Sequence, residues 1–288
     1  MSSFHYSSLI ISLLLASLPI GHAHAQNQSN ERNQPGETDK PLIFGVAPFM
    51  SPVALVKRLA PLRNYLSQSI NQTVIIETTK TAKDFVPKTI SRQFDFIMTS
   101  PSFALKVVDS GLYDLKLTQA RPLVGHIVVL VDSPIMTIDD LANKKIGTPP
   151  ETGFLGQLSH SYFERLGLKK KKAVTVQHFH SHNDAISALR LGETQASFIA
   201  DFMEKHINDH GVKIKTIARS RQYPGLTVLT STKLEAGVAN KITDALLKLG
   251  ENEKGHKLLQ QISLSGFRPI NGNELEKVRP YIQKNTDR

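Results

Sequence analysis

Four stretches of the chain share one pattern: a short apolar run stops, a small polar residue follows, and a helical period begins. Val46-Ala47 leads to Ser51-Pro52, and Ile97-Met98 leads to Thr99-Ser100-Pro101-Ser102. Ile146-Gly147 leads to Thr148-Pro149-Pro150-Glu151-Thr152-Gly153, and Phe179-His180 leads to Ser181-His182-Asn183-Asp184. The start of a helix carries backbone N–H groups without intrahelical partners and the positive end of the helix dipole, so several starts aimed at one place hold an anion. Pro52 and Pro101 fall at the first helical position, where the missing N–H costs nothing, after Ser51 and Ser100 as N-caps. A serine there either caps the helix or turns its hydroxyl outward to an oxyanion, and the spacing permits both.

Other chemistries leave weaker traces. His178, His180 and His182 alternate, which would place three imidazoles on one strand face and make a zinc site if the strand ran that far. His182 falls in the turn before a helix, however, and no fourth ligand is evident. Asp201 follows an apolar run and reads equally as a ligand-orienting carboxylate or as the N-cap of a helix over Phe202–Ile207. No Walker-type Gly-Lys-Ser/Thr loop, Gly-x-Gly-x-x-Gly or Gly-x-Ser-x-Gly stands in the sequence. The absence of cysteine excludes disulfides, thiolate metal sites, cysteine nucleophiles and lipidation at cysteine.

The elements that must position these turns alternate between strand and helix. Leu42–Ala47, Val74–Thr78, Phe94–Met98, Leu117–Ala120 and His126–Val131 read as strands. Helices are expected over Ser51–Ile70, with Leu55, Leu59, Leu62, Leu66 and Ile70 on one face, over Asp84–Arg92, with Phe85 and Ile90 inward, and over Pro101–Asp109. The theme restarts after Thr137, which with Asp140 makes a capping box. Strands Lys145–Thr148, Val174–Phe179, Ala196–Ile199, Lys213–Ala218 and Leu226–Thr230 then alternate with helices Phe154–Leu166 and Asn183–Leu191. Helices near Lys241–Gly250, Glu253–Ile262 and Asn273–Tyr281 complete the chain. This order predicts an α/β protein with mostly parallel sheets, in two lobes that meet near His126. In such sheets ligands bind at the carboxyl ends of the strands, where all four turns lie.

Residues 1–25 read as a cleaved secretory signal: an apolar core within Leu9–Leu18, a break at Pro19–Gly21, and Ala23-His24-Ala25 as the small-x-small cleavage site. Gln26–Lys40 holds no large apolar residue and reads as a flexible lead-in. The chain is therefore expected in a periplasm, and beyond the leader no apolar run approaches the roughly 20 residues that span a bilayer. Thirty-five Lys and Arg against 25 Asp and Glu give a net charge of +10 over 288 residues. That balance suits anionic solutes or surfaces. The charges are scattered apart from Lys169 to Lys172, and no aromatic side chains interleave with them, so a nucleic-acid surface is not expected.

Taken in order, these segments resemble the PhnD-like family of phosphonate- and phosphite-binding proteins of ABC importers. The likeness runs through Phe44-Gly45-Val46-Ala47-Pro48 with Ser51-Pro52, then Phe94-Asp95-Phe96-Ile97-Met98-Thr99-Ser100-Pro101-Ser102-Phe103. It continues through Val128-Val129-Leu130-Val131-Asp132-Ser133-Pro134-Ile135 and Ile138-Asp139-Asp140-Leu141-Ala142-Asn143-Lys144-Lys145-Ile146-Gly147. Ser181-His182-Asn183-Asp184-Ala185-Ile186 and Leu191-Gly192-Glu193 carry it to the last strand of the second lobe. The resemblance implies a two-lobed type II periplasmic-binding-protein fold, with residues 41–124 and 222–288 in lobe one and 125–221 in lobe two. Two hinge crossovers are implied, near Val124–His126 and Arg219–Pro224. It implies a non-catalytic receptor without cofactor or resident metal, a monomer that captures a small oxyanion between its lobes and delivers it to an ABC permease. The alternatives are a sensory module feeding a membrane receptor or sensor kinase, and a histidine-based metal binder. By the same resemblance Phe49, Met50 and Ser51 offer one wall of the site, and Thr99, Ser100, Ser102 and Phe103 a second. His126 stands at the crossover, Thr148, Thr152 and Gly153 contribute from lobe two, and His182 and Asp201 lie where ligand contacts are placed. The sequence departs from the family where Pro149-Pro150-Glu151 replaces a Ser/Thr-rich loop, which removes two N–H donors and adds a carboxylate. It departs again at Phe103, which has no phenol hydroxyl, and at Thr194-Gln195-Ala196, where an Asp is usual.

Overall fold

Strand β1 (Leu42–Val46) is apolar along its length, as a strand covered on both faces must be. Helix α1 (Pro52–Ile70) buries Leu55, Leu59, Leu62, Leu66 and Ile70 along one stripe and ends at Asn71 in the left-handed conformation. Each buried leucine contributes about 1.5–3 kcal/mol. β2 (Val74–Glu77), α2 (Ala82–Ile90), β3 (Phe96–Thr99) and α3 (Pro101–Asp109) follow, then β4 (Tyr113–Gln119) and β5 (Leu123–Leu130). After a 3-10 turn at Asp139–Leu141 come β6 (Lys145–Thr148), α4 (Phe154–Arg165), β7 (Thr175–His178), α5 (His182–Arg190), β8 (Ala196–Ala200) and α6 (Met203–Asp209). The remainder is β9 (Ile214–Tyr223), β10 (Thr227–Ser231), α7 (Ala236–Lys248), α8 (Glu253–Ile262), β11 (Phe267–Pro269), α9 (Gly272–Glu276) and a 3-10 turn at Arg279–Tyr281. The computed structural model describes residues 40–168, 173–209 and 211–282. The expected leader 1–25, the lead-in before Lys40 and the run Lys169 to Lys172 lie outside the described residues.

Two mixed sheets result, with strand order β11-β4-β10-β3-β1-β2 in the first and β7-β6-β8-β5-β9 in the second. The expectation of mostly parallel sheets is corrected: β2-β1-β3 and β7-β6-β8 are parallel, and every other pairing is antiparallel. The reason is connectivity, because the strands that pass between the sheets arrive from the opposite direction. Within the first sheet Phe44 and Phe96 are register partners and their rings stack at 4.4 Å. Gly45 is required beside them, since a Cβ there would stand 2.4 Å from the Phe94 ring.

Several boundaries differ from the sequence reading. In α2 the inward face is Phe85 and Thr89, while Ile90 is exposed. Thr89 tolerates burial because its hydroxyl donates to the Phe85 carbonyl at 2.9 Å. The helix expected over Asn273–Tyr281 breaks after Glu276, and Pro280 accounts for the break. β11 was not anticipated, being three residues that end in proline.

All described residues belong to one compact unit, Glu37–Arg288. One apolar cluster joins sheet one to α1, α7 and α8 through residues such as Leu59, Phe96, Val228 and Ile242. The other runs from Phe94 and Leu105 to Ile127, Phe154 and Phe198, so it spans both sheets. The chain passes from the first sheet to the second at residues 120–122 and returns at 224–226. These two links lie side by side: the Gln119 N–H donates to the Leu226 carbonyl at 2.9 Å, and Leu123 pairs with Tyr223.

Register fixes which edges face each other. Thr227, where the return link enters sheet one, pairs with Thr99 at the carboxyl end of β3. Gly125, just inside sheet two, pairs with Ala200 at the carboxyl end of β8. Three residues span at most roughly 10 Å. The carboxyl edges of the two parallel strand sets are thereby held opposite one another across the links.

Candidate functional site

Every helix that follows a parallel strand starts at these facing edges, and the starts are not equivalent. At α2 the Thr81 hydroxyl accepts from the Asp84 N–H at 3.2 Å, and at α5 Ser181 accepts from Asp184 at 3.1 Å. Both are ordinary caps. At α3 the Ser100 hydroxyl lies 3.4 Å from the Phe103 nitrogen, at the long limit, and 3.3 Å from the Ser102 hydroxyl. At α1 Ser51 makes no side-chain cap bond, and at α4 the N-cap is Gly153, which has no side chain to offer. The starts of α1 and α4, one from each sheet, therefore leave their first-turn amides without side-chain partners.

The α4 start is set by local packing. Gly153 donates its N–H to the Pro150 carbonyl at 3.0 Å, which closes the turn. Gly156 lets that carbonyl lie over the first helical turn, because a Cβ there would stand 2.2 Å from the Pro150 oxygen. Glu151 reaches onto the second turn of α4, with its carboxylate 2.7 Å from His160 Nε2. The two prolines thus cost donors in the turn, but the helix amides remain.

The residues singled out from sequence separate into groups. Phe49 and Ser51 are exposed and Met50 half-buried at the β1–α1 turn. Thr99 and Ser102 are buried at the β3–α3 turn. Phe103 instead turns into the core, edge-on to Phe85 at 5.9 Å. Thr148 is buried at the end of β6, 2.6 Å from His178 Nδ1, and Thr152 is exposed on the following turn. His126 is buried on β5, with Nδ1 2.6 Å from a Glu204 carboxylate oxygen that also accepts from Thr216. Burial pushes the Glu204 carboxyl up, but hydrogen bonds from Thr216 and His126 and the charges of His126 and Arg219 outweigh it, and the net shift is downward. Asp201 accepts from Arg121 Nε at 3.1 Å and from the Val124 N–H at 3.3 Å, so it braces the first link between the sheets.

The three alternating histidines do not converge. β7 ends at His178, His180 is exposed in the turn, and His182 opens α5. His182 Nδ1 is shut off from solvent and has no hydrogen-bond partner, and burial lowers its pKa from 6.5 to about 4. The imidazole is neutral at pH 7.

Sequence reading missed Thr78, at the end of β2, whose buried hydroxyl has no partner, although the run Thr78-Thr79-Lys80-Thr81 was a visible signal. It also missed Glu204 and Thr216, which nothing in the sequence connects to His126. Two shallow depressions, of about 220 and about 320 Å³, lie at the opposite end of β5 around Leu130 and Asp132 and include none of the helix starts. Among the described residues no helix is long and apolar enough to cross a membrane.

Comparison with solved structures gives the same architecture. PhnD1 from Prochlorococcus marinus in complex with methylphosphonate superposes with a TM-score of 0.72 at 14% identity, covering 84% of this chain and 97% of that one. A binding-protein component of an ABC phosphonate transporter from Pseudomonas aeruginosa gives 0.68 at 15% identity, over 84% and 85%. A Xanthomonas citri protein bound to ATP gives 0.66 at 14%, over 84% and 99%. At such identities the likeness establishes the two-lobed periplasmic-binding-protein fold. A search of curated proteins finds no match. The family model for the periplasmic substrate-binding protein of phosphonate ABC transporters matches residues 44–275, nearly the whole described chain. The helix starts at the facing edges thus belong to a family that binds solutes and passes them to a permease rather than transforming them, and this chain is a member of the phosphonate ABC-transporter periplasmic substrate-binding protein family.

Proposed function

We propose that this protein captures a small oxyanion of the phosphonate, phosphite or phosphate type between its two lobes and presents it, as a monomer, to an ABC permease. The leader 1–25 would be removed on export. The lobes divide at the two links, residues 120–122 and 224–226, a few residues from the expected bounds at 124/125 and 221/222. The observation that carries the reading is the pair of uncapped helix starts, α1 and α4, on opposite carboxyl edges. Two dipoles meeting from separate lobes bind an anion only when the lobes close, which couples capture to closure. Ser51, Thr99, Ser100, Ser102, Thr148 and Thr152 supply hydroxyls around the amides, and Phe49 and Met50 supply an apolar wall for an organic substituent. His182, kept neutral, offers one acceptor or one donor and suits an oxyanion that retains a proton. The net charge of +10 raises the local concentration of anions.

Thermal-shift titration with methylphosphonate, phosphite, phosphate, a short alkyl sulfonate and ATP tests the proposal. A ligand at one hundred times its Kd stabilises the fold by about 2.7 kcal/mol. Stabilisation by one of the small oxyanions above the others is the expected outcome. A response to ATP alone would move the reading to nucleotides, and no response to any anion would overturn it.

A further inference from the structure

Glu151, His160 and His178 come from three different elements: the β6–α4 turn, the second turn of α4 and the end of edge strand β7. Each offers one ligand atom, and the three atoms lie within 4.8 Å of one another. His160 Nε2 stands 2.7 Å from Glu151 Oε1, and the two imidazole rings are 5.0 Å apart at 36°. We propose that these three side chains form a divalent transition-metal site of the zinc class, bound by two imidazoles and one carboxylate with the fourth position open to solvent. This does not depend on the oxyanion reading.

Two features separate the cluster from a chance meeting of surface side chains. Thr148, fully buried, holds His178 Nδ1 at 2.6 Å, and the two are register partners in the β6–β7 ladder. When Nδ1–H donates to that hydroxyl, the Nε2 lone pair is the one presented to a metal, the outer-shell arrangement that metal-bound histidines use. The second feature is access: the His160 and Glu151 side chains are 29% and 47% exposed, so an ion can enter and retain a water or an exchangeable anion. Two nitrogens and one carboxylate oxygen suit Zn²⁺, which takes such sets tetrahedrally with an open fourth position. A bound ion would tie the turn ahead of α4 to the helix and to β7, fixing the place where the α4 amides emerge.

The test uses the untagged full chain, stripped with chelator and titrated with zinc chloride by calorimetry, with metal content measured in parallel. One zinc per chain is expected, with binding abolished in H178A and H160Q and unchanged in H180A. T148V, which leaves all three ligands in place, should weaken binding about tenfold or more. The cobalt(II) form should show the visible absorption of a four-coordinate ion. Circular dichroism of each apo variant separates a lost site from a lost fold. Unaltered zinc binding in folded H178A and H160Q, loss in H180A instead, or an octahedral cobalt spectrum would each overturn the assignment.

Discussion

At the scale of single residues, His182 sets an acid limit on the fold. Its folded pKa is about 4 and its unfolded value 6.5, so the unfolded chain takes up a proton that the folded imidazole refuses. The contribution is fully present above pH 6.5 and is lost as pH falls toward 4, on the order of 3 kcal/mol at the end of the window. Urea unfolding of wild type and H182L between pH 7 and 4.5 should give a smaller acid-side loss for the variant, and equal slopes would contradict this. Ser51 and Ser181 make a matched pair. S51A removes no cap bond, so stability should hold while anion Kd rises about tenfold or more, the worth of a hydrogen bond to a charged group. S181A removes a cap and should cost about 1 kcal/mol with Kd unchanged. Equal effects in both assays for the two variants would place the site elsewhere. The serines were legible because Ser-Pro is a local signal. Which serine is free was not, because Ser51 and Ser100 look alike in sequence and differ only in where the hydroxyl turns. Nor was the meeting of His160 with His178, which depends on α4 lying along β7.

At the scale of elements, the helix starts read well because caps, prolines and apolar periodicity act within a few residues. The α3 and α8 boundaries follow from such cues, as do the inward leucines of α1. Strand direction did not read, because a strand's partner is chosen by distant residues: β10 looks like any apolar run and yet lies antiparallel between β3 and β4. The tight contact in the α4 start gives an element-level prediction. G156A places a methyl against the Pro150 carbonyl, and its backbone must shift at a cost of about 1–3 kcal/mol. G153A meets nothing closer than 3.5 Å, in an ordinary extended conformation with φ −89°, and should be nearly neutral. Thermal melts of the two variants, with anion titrations beside them, should show G156A losing both stability and affinity. Indistinguishable melts would mean that the turn adapts freely.

At the scale of the whole molecule, the sequence showed two repeats of strand and helix but not how firmly they are joined. The tail returns across the structure: Tyr281 meets Phe154 and Tyr223 edge-on, and its hydroxyl accepts from that of Tyr223 at 2.8 Å. Arg279 grips Asp109 on α3 through two bonds of 2.8 Å, and pairing with Arg279 holds the Asp109 carboxyl below the usual range. Asp201 braces the first link, so D201A should lower stability by about 1–3 kcal/mol through the orphaned Val124 amide and Arg121. Anion Kd should stay near wild type, and a loss of affinity without a loss of stability would return Asp201 to the ligand. The paired links carry a mechanical consequence. Two short straps bonded to each other resist sliding and torsion, while bending about their common line stretches neither. Under the proposed capture mechanism, opening would bend about that line, and the contacts of Tyr281 with Phe154 and Tyr223 would have to yield with it, so the tail limits how large a guest can enter.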